Sequence, residues 1–217
     1  MEKIKNIDLV RVLRNNKPGK KLSFIEKLKV SYRPYICPFS ELLENIPENE
    51  KIFDVGCGSG MFLFLVNKFR NPSQLFGIEI DERLIENAKD LFVSEKSKST
   101  FSVFDGETIP EQMKEFNYIT LIDVLHHVPL DKQQQFLVEI YNKMGENSTL
   151  ILKDINSNNP FFIWNKFHDF VFSGEVGNEP NPTKLMESLQ NIGFEIESIN
   201  YKMMFLYPHF TLICKKK

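Results

Sequence analysis

The residues with the clearest chemical signature are three alternating glycines within residues 54–60. They follow an apolar run of strand length and precede an apolar run of helix length. A side chain at any of these glycines would block a tight turn or keep a ligand away from the backbone. The amides at the start of the following helix also favour a polar or anionic group. The stretch therefore predicts a ligand-binding loop, and a plain tight turn is the alternative.

The spacing of the glycines distinguishes two kinds of nucleotide-binding loop. The dinucleotide fingerprint requires its last small residue where this sequence has Met61, and the third glycine comes one position early, at Gly60. The stretch instead resembles the first motif of class I S-adenosylmethionine-dependent methyltransferases. This resemblance implies S-adenosylmethionine as the cofactor. The cofactor-binding residues that it assigns here are Asp54, Gly56, Cys57, Gly58 and Gly60.

An acidic residue ends the next apolar run, a little over twenty positions after the glycines. A carboxylate at this place can accept hydrogen bonds from both hydroxyls of a ribose, which makes Glu79 a predicted cofactor ligand. Asp81 is expected instead to be the N-cap of the helix that follows. The family resemblance implies that Ile80, between them, packs an apolar surface on the adenine.

Two later acidic positions also resemble motifs of this family. Asp105 with Gly106 resembles the third motif, in which the acid contacts the adenine amino group, although Asp-Gly is also a strong turn dipeptide. Asp123 lies in a segment that resembles the end of the fourth strand, which faces both cofactor and acceptor in the family. The resemblance assigns all three residues to cofactor binding, and the four blocks lie in family order within residues 51–154.

Adjacent histidines follow Asp123 closely. If the acceptor is a hydroxyl or an amine, a base must remove its proton, and imidazole titrates near neutral pH. Because neighbouring side chains in an extended segment point to opposite sides, one histidine is expected to enter the site, and His127 is preferred over His126. The alternative is that each histidine only closes the edge of the sheet. The segment also resembles the Glu-x-x-Glu-His metal segment of quinone-pathway O-methyltransferases, but His126 replaces one carboxylate, so no metal is assigned.

The elements that must position these residues alternate between strand and helix from Lys51 onward. Strands are predicted at residues 51–55, 74–80, 100–104, 118–123, 149–154, 194–201 and 209–215. Alternation implies a parallel sheet covered on both faces, and the short last link requires antiparallel pairing. The predicted fold class is therefore α/β: a Rossmann-like, doubly wound, mostly parallel seven-stranded sheet with an antiparallel last strand, plus N-terminal helices. Asp131 with Gln134 further predicts a capping box before the fifth strand.

The domain prediction treats the whole chain as one domain. Residues 1–50 are expected to form helical segments, one of them at about residues 23–30, that cap the cofactor site. Residues 51–217 are expected to form the S-adenosylmethionine-binding methyltransferase domain.

Composition argues against several classes of protein. The net charge of −2 gives no basic footprint, so no nucleic-acid partner is expected. No stretch approaches the roughly 18 uninterrupted apolar residues of a membrane span, so no integral membrane segment is expected. Cys37, Cys57 and Cys214 are odd in number and far apart, which predicts reduced thiols and a cytoplasmic location. The sequence carries no signal for an oligomeric state.

The predicted function is S-adenosylmethionine-dependent methyl transfer to a small acceptor, more often at oxygen than at nitrogen or carbon. If the aromatic-rich residues 161–172 form a lid, the acceptor is apolar or aromatic, whereas a core role is the alternative for that run. A second hypothesis is a cofactor-binding regulatory or scaffold subunit without catalytic activity. The intact glycines, Glu79 and Asp105 argue against it.

Overall fold

The computed structural model describes residues 4–15, 32–95, 98–164, 166 and 177–216. The chain separates into two compact units, Met1–Gly106 and Glu107–Lys217. The helix predicted at residues 23–30 lies outside the described residues, as does most of the aromatic run at residues 161–172.

The first unit contains three parallel strands in the order β3-β2-β1. Its elements, in chain order, are α1 (Asn6–Asn15), α2 (Phe39–Glu44), β1 (Lys51–Val55), α3 (Met61–Arg70), β2 (Gln74–Glu79), α4 (Glu82–Phe92) and β3 (Ser99–Val103). Both α1 and α2 pack against α3, while α4 packs against β2 and β3. The predicted bounds of these three strands therefore lie within one residue of the observed ends.

Burial explains why this unit folds as it does. In β1 every residue after the first is buried, as expected for a parallel strand covered on both faces. The rings of Phe53 and Phe76 stack across β1 and β2 with centroids 5.0 Å apart. Five consecutive residues of α3, Phe62–Val66, are buried, which accounts for the nearly continuous apolar sequence of this helix. The unit thus presents a buried, well-packed strand end immediately before the glycine loop.

The second unit contains four strands in the order β4-β5-β7-β6. Its elements are a 3-10 turn (Glu111–Glu115), β4 (Tyr118–Ile122), a second 3-10 turn (Leu125–His127), α5 (Leu130–Lys143), β5 (Thr149–Ile155), α6 (Pro182–Ile192), β6 (Phe194–Met204) and β7 (Tyr207–Lys216). β4 is parallel to β5, and β7 is antiparallel to both β5 and β6. Phe205 and Leu206 alone link β6 to β7, which is too short for any other pairing.

The predicted fold class is confirmed: a seven-stranded mixed sheet in which six strands share one direction and the last is antiparallel, with flanking helices. The predicted reduced state of the cysteines agrees with three buried thiols that form no disulfide. Across the described ranges, no helix combines the length and the hydropathy needed to cross a bilayer.

The predicted capping box in α5 is wrong. Asp131 lies inside the first turn of the helix, and Pro129 occupies the N-cap. The Pro129 carbonyl accepts hydrogen bonds from the amides of Lys132 and Gln133 at 2.8 and 3.0 Å. Proline favours the start of a helix because its φ is already close to the helical value, so the helix begins before the acidic residue.

Candidate functional site

The glycine loop leaves β1 with its backbone in the left-handed region. Gly58 has a φ of 54°, and a Cβ added there would meet nothing within 4 Å. Gly60 has a φ of 75°, and a Cβ there would lie 3.0 Å from the Cβ of Ala88 in α4. The two glycines therefore have different roles: Gly58 exposes bare backbone to open space, and Gly60 lets the loop pack against a helix.

Hydrogen bonds from the loop to the end of β2 hold it in place. The amides of Gly56 and Cys57 both donate to the Ile78 carbonyl, at 2.8 and 2.9 Å. Cys57 is buried, and a Cβ at Gly77 would lie 2.8 Å from its sulfur. Sequence reasoning did not assign a role to Gly77, although a glycine inside a strand signals close packing.

The chemical state of the loop cysteine follows from its surroundings. Burial raises the pKa of the Cys57 thiol well above its ordinary range, and the charges of Asp54 and Glu79 raise it further. Cys57 therefore remains a packed thiol at neutral pH. Asp54 lies within β1 and is itself buried.

The predicted carboxylate of Glu79 lies directly against the glycine loop. One of its oxygens accepts a hydrogen bond from the Gly58 amide at 3.0 Å. The other accepts from the amides of Ile80 and Asp81 at 2.8 and 3.3 Å. Two features that are 21 residues apart in sequence are thus joined by one hydrogen bond.

Asp81 is the N-cap of α4, as predicted. Its side chain accepts a hydrogen bond from the Arg83 amide at 2.8 Å. Hydrogen bonds from the Arg83 side chain hold the pKa of the Asp81 carboxyl below its ordinary value. The two neighbouring acids therefore differ in role, because Asp81 caps a helix and Glu79 contacts the loop.

The apolar residue between these acids is unusually exposed. The side chain of Ile80 is 63% exposed. A Cβ at Gly106 would lie 3.6 Å from Ile80 Cγ2, so the turn after β3 lies beside it. Asp105 precedes that glycine and is exposed. The first unit therefore brings together the glycine loop, Glu79, Ile80 and the Asp105 turn.

In the second unit, Asp123 follows β4 in the left-handed conformation, with a φ of 55°. Its amide donates to the Lys153 carbonyl at 2.9 Å, and its carboxylate pairs with the Lys153 ammonium group. Lys153 is buried within β5. A non-glycine residue stays in this backbone region when its surroundings hold it there, and Lys153 does so from both main chain and side chain.

The two histidines differ sharply in environment. His126 is 3% exposed, whereas His127 is exposed. His126 Nδ1 lies 2.7 Å from Asp154 Oδ1, and the His126 amide donates to Asp154 Oδ2 at 3.2 Å. The centroids of the two imidazole rings are 4.0 Å apart. Sequence reasoning missed Asp154 as a partner, although an acid at the end of the next parallel strand was a usable signal.

The turn that carries the histidines is also braced through its backbone. The Asn178 amide donates to the His126 carbonyl at 2.7 Å. Gln133 Nε2 donates to the carbonyls of Leu125, Val128 and Asn178, at 3.0, 3.2 and 3.2 Å. The position of His126 is therefore fixed by main-chain contacts as well as by Asp154.

Among the described residues, Asp123, His126 and Asp154 place one possible ligand atom each within 4.8 Å of one another, a set that could hold a metal ion. Both carboxylates are already engaged, Asp123 by Lys153 and Asp154 by His126. The assignment of no metal stays a prediction, as do the roles of the individual residues in cofactor binding and catalysis.

A family model described as a methyltransferase domain matches residues 28–199. The carboxy-S-adenosyl-L-methionine synthase of Campylobacter curvus is 26% identical over 53% of this chain and 49% of its own length. The mitochondrial ubiquinone biosynthesis O-methyltransferase of Candida albicans is 29% identical over 57% of this chain and 36% of its own. The chain thus spans about half the length, or less, of the curated relatives it matches.

A solved structure of magnesium protoporphyrin IX methyltransferase from Synechocystis PCC 6803, with bound SAH, superposes with a TM-score of 0.67 at 17% identity. The alignment covers 97% of this chain and 94% of that one. At this level of identity the likeness shows a shared fold.

Proposed function

The chain belongs to the methyltransferase domain family, and we propose that it transfers a methyl group from S-adenosylmethionine to a small acceptor, preferentially at oxygen. Membership confirms the family predicted from the sequence, and with it the methyltransferase class and S-adenosylmethionine as the cofactor. The acceptor, the reacting atom and the residue roles are parts of the proposal.

One observation carries the proposal: the Glu79 carboxylate lies 3.0 Å from the Gly58 amide, beside the open space that a Cβ at Gly58 would enter. A nucleoside lying against the bare backbone would bring its ribose hydroxyls to this carboxylate. Such hydroxyls are donors and a carboxylate is an acceptor, so the donor set and the shape both fit. The residues of the first unit therefore suit the nucleoside part of the cofactor.

We assign the base of the nucleoside to the adjacent surface. Exposed Ile80 offers an apolar face on which an adenine ring can pack, and Gly106 lies beside it. The exposed Asp105 carboxylate can accept a hydrogen bond from the adenine amino group. Asp54, Gly56, Cys57 and Gly60 belong to the proposed cofactor-binding set with the loop, and Asp123, at the end of β4, stays a predicted cofactor residue.

The chemical step needs positioning and one proton acceptor. When bound, S-adenosylmethionine supplies a methyl group on a sulfonium sulfur. The acceptor oxygen would displace the sulfur from that methyl carbon, and the electrons of the carbon–sulfur bond would stay on sulfur. The proton of the acceptor hydroxyl passes to a histidine, for which His127 and His126 are the candidates. Alignment of the two reacting groups supplies the rest of the acceleration.

The acceptor is proposed to be small and apolar or aromatic. Phe161, Ile163 and Trp164 follow β5 and are 45%, 62% and 48% exposed, which offers an apolar surface soon after the end of that strand. The O-methyltransferase among the relatives supports oxygen as the receiving atom. A cytoplasmic location, the lack of a nucleic-acid partner and the action of residues 1–50 as a cap belong to the same proposal. Packing of α1 and α2 against α3 supports the cap, since α3 directly follows the glycine loop.

The experiment combines calorimetric binding with a transfer assay. S-adenosylmethionine, its demethylated product and NADH are titrated into the full chain, and the two sulfur compounds are expected to bind while NADH does not. Methyl transfer from isotopically labelled cofactor is then measured with phenols, catechols and fatty-acid-derived acceptors. Failure of both sulfur compounds to bind would overturn the proposal. Binding without transfer to any acceptor would favour the scaffold hypothesis.

A further inference from the structure

The short loop between β6 and β7 exposes apolar side chains where a polar turn is the usual choice. Met204 pairs with Tyr207, so Phe205 and Leu206 form a two-residue loop. Phe205 is 76% exposed, and Leu206 is exposed as well. Together with two exposed residues near the end of β6, they form a group here called the apolar tip: Tyr201, Met203, Phe205 and Leu206.

The backbone of this loop is as unusual as its side chains. Phe205 has a φ of 57°, in the left-handed region. A bulky side chain is disfavoured there, and two-residue hairpin loops normally place glycine, asparagine or aspartate at such a position. The loop thus combines an unfavourable backbone conformation with an aromatic ring in water. Because such departures from local preference are concentrated at functional sites, we expect the tip to contact an apolar phase other than the protein's own core.

A second exposed apolar stretch starts beside the tip. β5 pairs with β7, and just beyond their last pair the Asn156 amide donates a hydrogen bond to the Pro208 carbonyl at 2.7 Å. From this junction the chain runs back along β7 to the apolar tip. In the other direction it runs to three further exposed side chains: Phe161, Ile163 and Trp164. Both apolar stretches therefore begin at the same edge of the sheet.

The two stretches contribute no acidic side chain to this edge. Residues 156–166 and 198–209 contain no aspartate or glutamate, although the whole chain has 29 acidic residues. Each stretch carries one lysine, Lys166 in the first and Lys202 in the second. The carboxylate that Lys166 contacts, at 3.4 Å, belongs to Glu179, which lies outside both stretches and is buried. In a chain with a net charge of −2, this edge is therefore suited to an anionic partner.

The size and the composition of this surface favour a lipid bilayer over a folded protein as that partner. Across the described part of the chain, the two stretches expose seven large apolar side chains. A stable protein interface uses roughly 20–30 residues from each partner and requires complementary shapes. A bilayer is fluid, so it requires no matching shape. Tyrosine and tryptophan favour its interface with water, and binding strengthens with buried apolar area and with attraction to anionic lipids.

We propose that the apolar tip docks the protein on the surface of an anionic lipid bilayer: Phe205 and Leu206 insert below the headgroups, and Lys202 adds positive charge near them. Trp164, on the neighbouring stretch, then lies at the membrane–water interface. The inference goes beyond methyl transfer and does not depend on it, because it concerns where the protein is held and not what it methylates.

The direct test is cosedimentation of the full chain with vesicles of phosphatidylcholine, alone or mixed with phosphatidylglycerol. The wild type is expected to partition onto the mixed vesicles more strongly than onto phosphatidylcholine alone. The double variant Phe205→Gly with Leu206→Ser removes the apolar side chains and relieves the backbone, because glycine readily adopts a positive φ. Its partition coefficient should fall roughly 10-fold or more, while its Tm stays unchanged or rises.

The matched control removes comparably exposed apolar side chains elsewhere on the chain. Val93 and Leu130 are both highly exposed and lie outside the two stretches. Because single exposed apolar residues are common on protein surfaces, the double variant Val93→Ser with Leu130→Ser should bind mixed vesicles within about 2-fold of the wild type. An equal loss of binding in both double variants would overturn the assignment to the tip.

A fluorescence measurement tests the placement of the bilayer. Trp164 is the only tryptophan in the sequence, so its emission reports on one position. Brominated lipid in the mixed vesicles is expected to quench this emission in the wild type and to leave it unchanged in the tip variant. Vesicle binding without quenching would contradict the proposed contact surface.

Further outcomes would overturn the inference itself. The first is a wild type that binds neither kind of vesicle, and the second is a tip variant that binds as well as the wild type. Equal binding to both kinds of vesicle would remove the preference for anionic lipid. A wild-type dimer that the tip variant converts to a monomer, seen by light scattering without vesicle binding, would assign the surface to a second copy of this chain.

The proposed function is tested separately from the docking surface. The Kd for S-adenosylmethionine, measured by calorimetry, should be the same in the wild type and in the tip variant. Vesicle binding requires neither cofactor nor acceptor. A failure of the docking proposal is therefore distinguishable from a failure of the proposed methyl transfer.

Discussion

The glycine loop is built on the opposite principle to a group of four side chains at the ends of β4 and β5, here called the β4–β5 charge cluster: Asp123, His126, Lys153 and Asp154. The loop depends on a missing side chain: Gly58 leaves open space beside the backbone. Its amide donates one hydrogen bond to the Glu79 carboxylate. The cluster instead consists of buried side chains and their partners: His126 pairs with Asp154, and buried Lys153 pairs with Asp123. The loop therefore depends on the absence of side chains, whereas a buried charged cluster depends on the presence of each member.

The comparison predicts which substitutions affect ligand binding and which affect the stability of the fold. Adding atoms to the loop should remove binding with a modest cost in folding. Removing one charge from the cluster should cost folding, because its partner then loses a charged neighbour at a poorly solvated place. Substitutions in the two regions should therefore separate the two properties.

The largest expected effect is on cofactor binding by Gly58→Val. The new side chain would enter the open space, and its backbone at φ 54° disfavours a β-branched residue. We expect the Kd for S-adenosylmethionine to rise by roughly 100-fold or more, measured by calorimetry. Gly60→Ala is the matched comparison, since its Cβ would meet Ala88 at 3.0 Å and lower Tm instead. An unchanged Kd in Gly58→Val would contradict the proposal that the nucleoside lies against the backbone of Gly58.

The second largest effect is expected on the stability of the fold, in the variant Lys153→Met. Loss of the ammonium group leaves the Asp123 carboxylate without its buried partner, and we expect the free energy of unfolding to fall by roughly 2–4 kcal/mol. Urea denaturation, monitored by circular dichroism, measures this free energy. Lys132→Met is the control, because the Lys132–Glu107 pair is exposed on both sides and should change nothing measurable. Equal stability of the two variants would show that the cluster is not a buried electrostatic unit.

A smaller effect, on the affinity for the cofactor, is expected for Glu79→Gln. The amide keeps the shape of the side chain but replaces one acceptor oxygen by a donor. The ribose would then compete with the Gly58, Ile80 and Asp81 amides for the single remaining oxygen. The Kd for S-adenosylmethionine should rise about 10-fold, on the order of 1.4 kcal/mol. The Kd for the demethylated product should rise by the same factor, since both sulfur compounds carry the ribose. A change confined to one of the two ligands would place Glu79 elsewhere in the site.

The smallest effect belongs to Asp81→Ala, beside Glu79. This variant removes the cap of α4 and should lower Tm by a few degrees while cofactor affinity is unchanged. In the folded state the pKa of the Asp81 carboxyl lies below 3.8, the ordinary value for an aspartate, so its stabilising contribution is full above pH 3.8 and is lost as the pH falls through the folded value. Calorimetric Tm values at several pH values should show the gap between variant and wild type closing in that acidic range. Weakened cofactor binding would contradict the separate roles of the two acids.

The ease of prediction differs between the two regions for a physical reason. Glycine spacing, a strand-ending acid and an N-cap are local requirements of the backbone, and they place Gly58, Glu79 and Asp81 without knowledge of the fold. The expectation that one histidine enters the site rested on the alternation of an extended segment, but the residues form a 3-10 turn in which His126 is buried. Local geometry of that kind depends on the contacts with Asp154 and Asn178.

The sequence by itself determined the alternation of strands and helices, the antiparallel last strand and the family of the cofactor loop, because each follows from periodicity or from short-range steric demands. Only the tertiary structure decided that Asp154 meets His126, that Lys153 meets Asp123 and that Gly77 makes room for Cys57. These pairs join residues from 20 to 30 positions apart, and their distances are set by how neighbouring strands register, which no local pattern encodes.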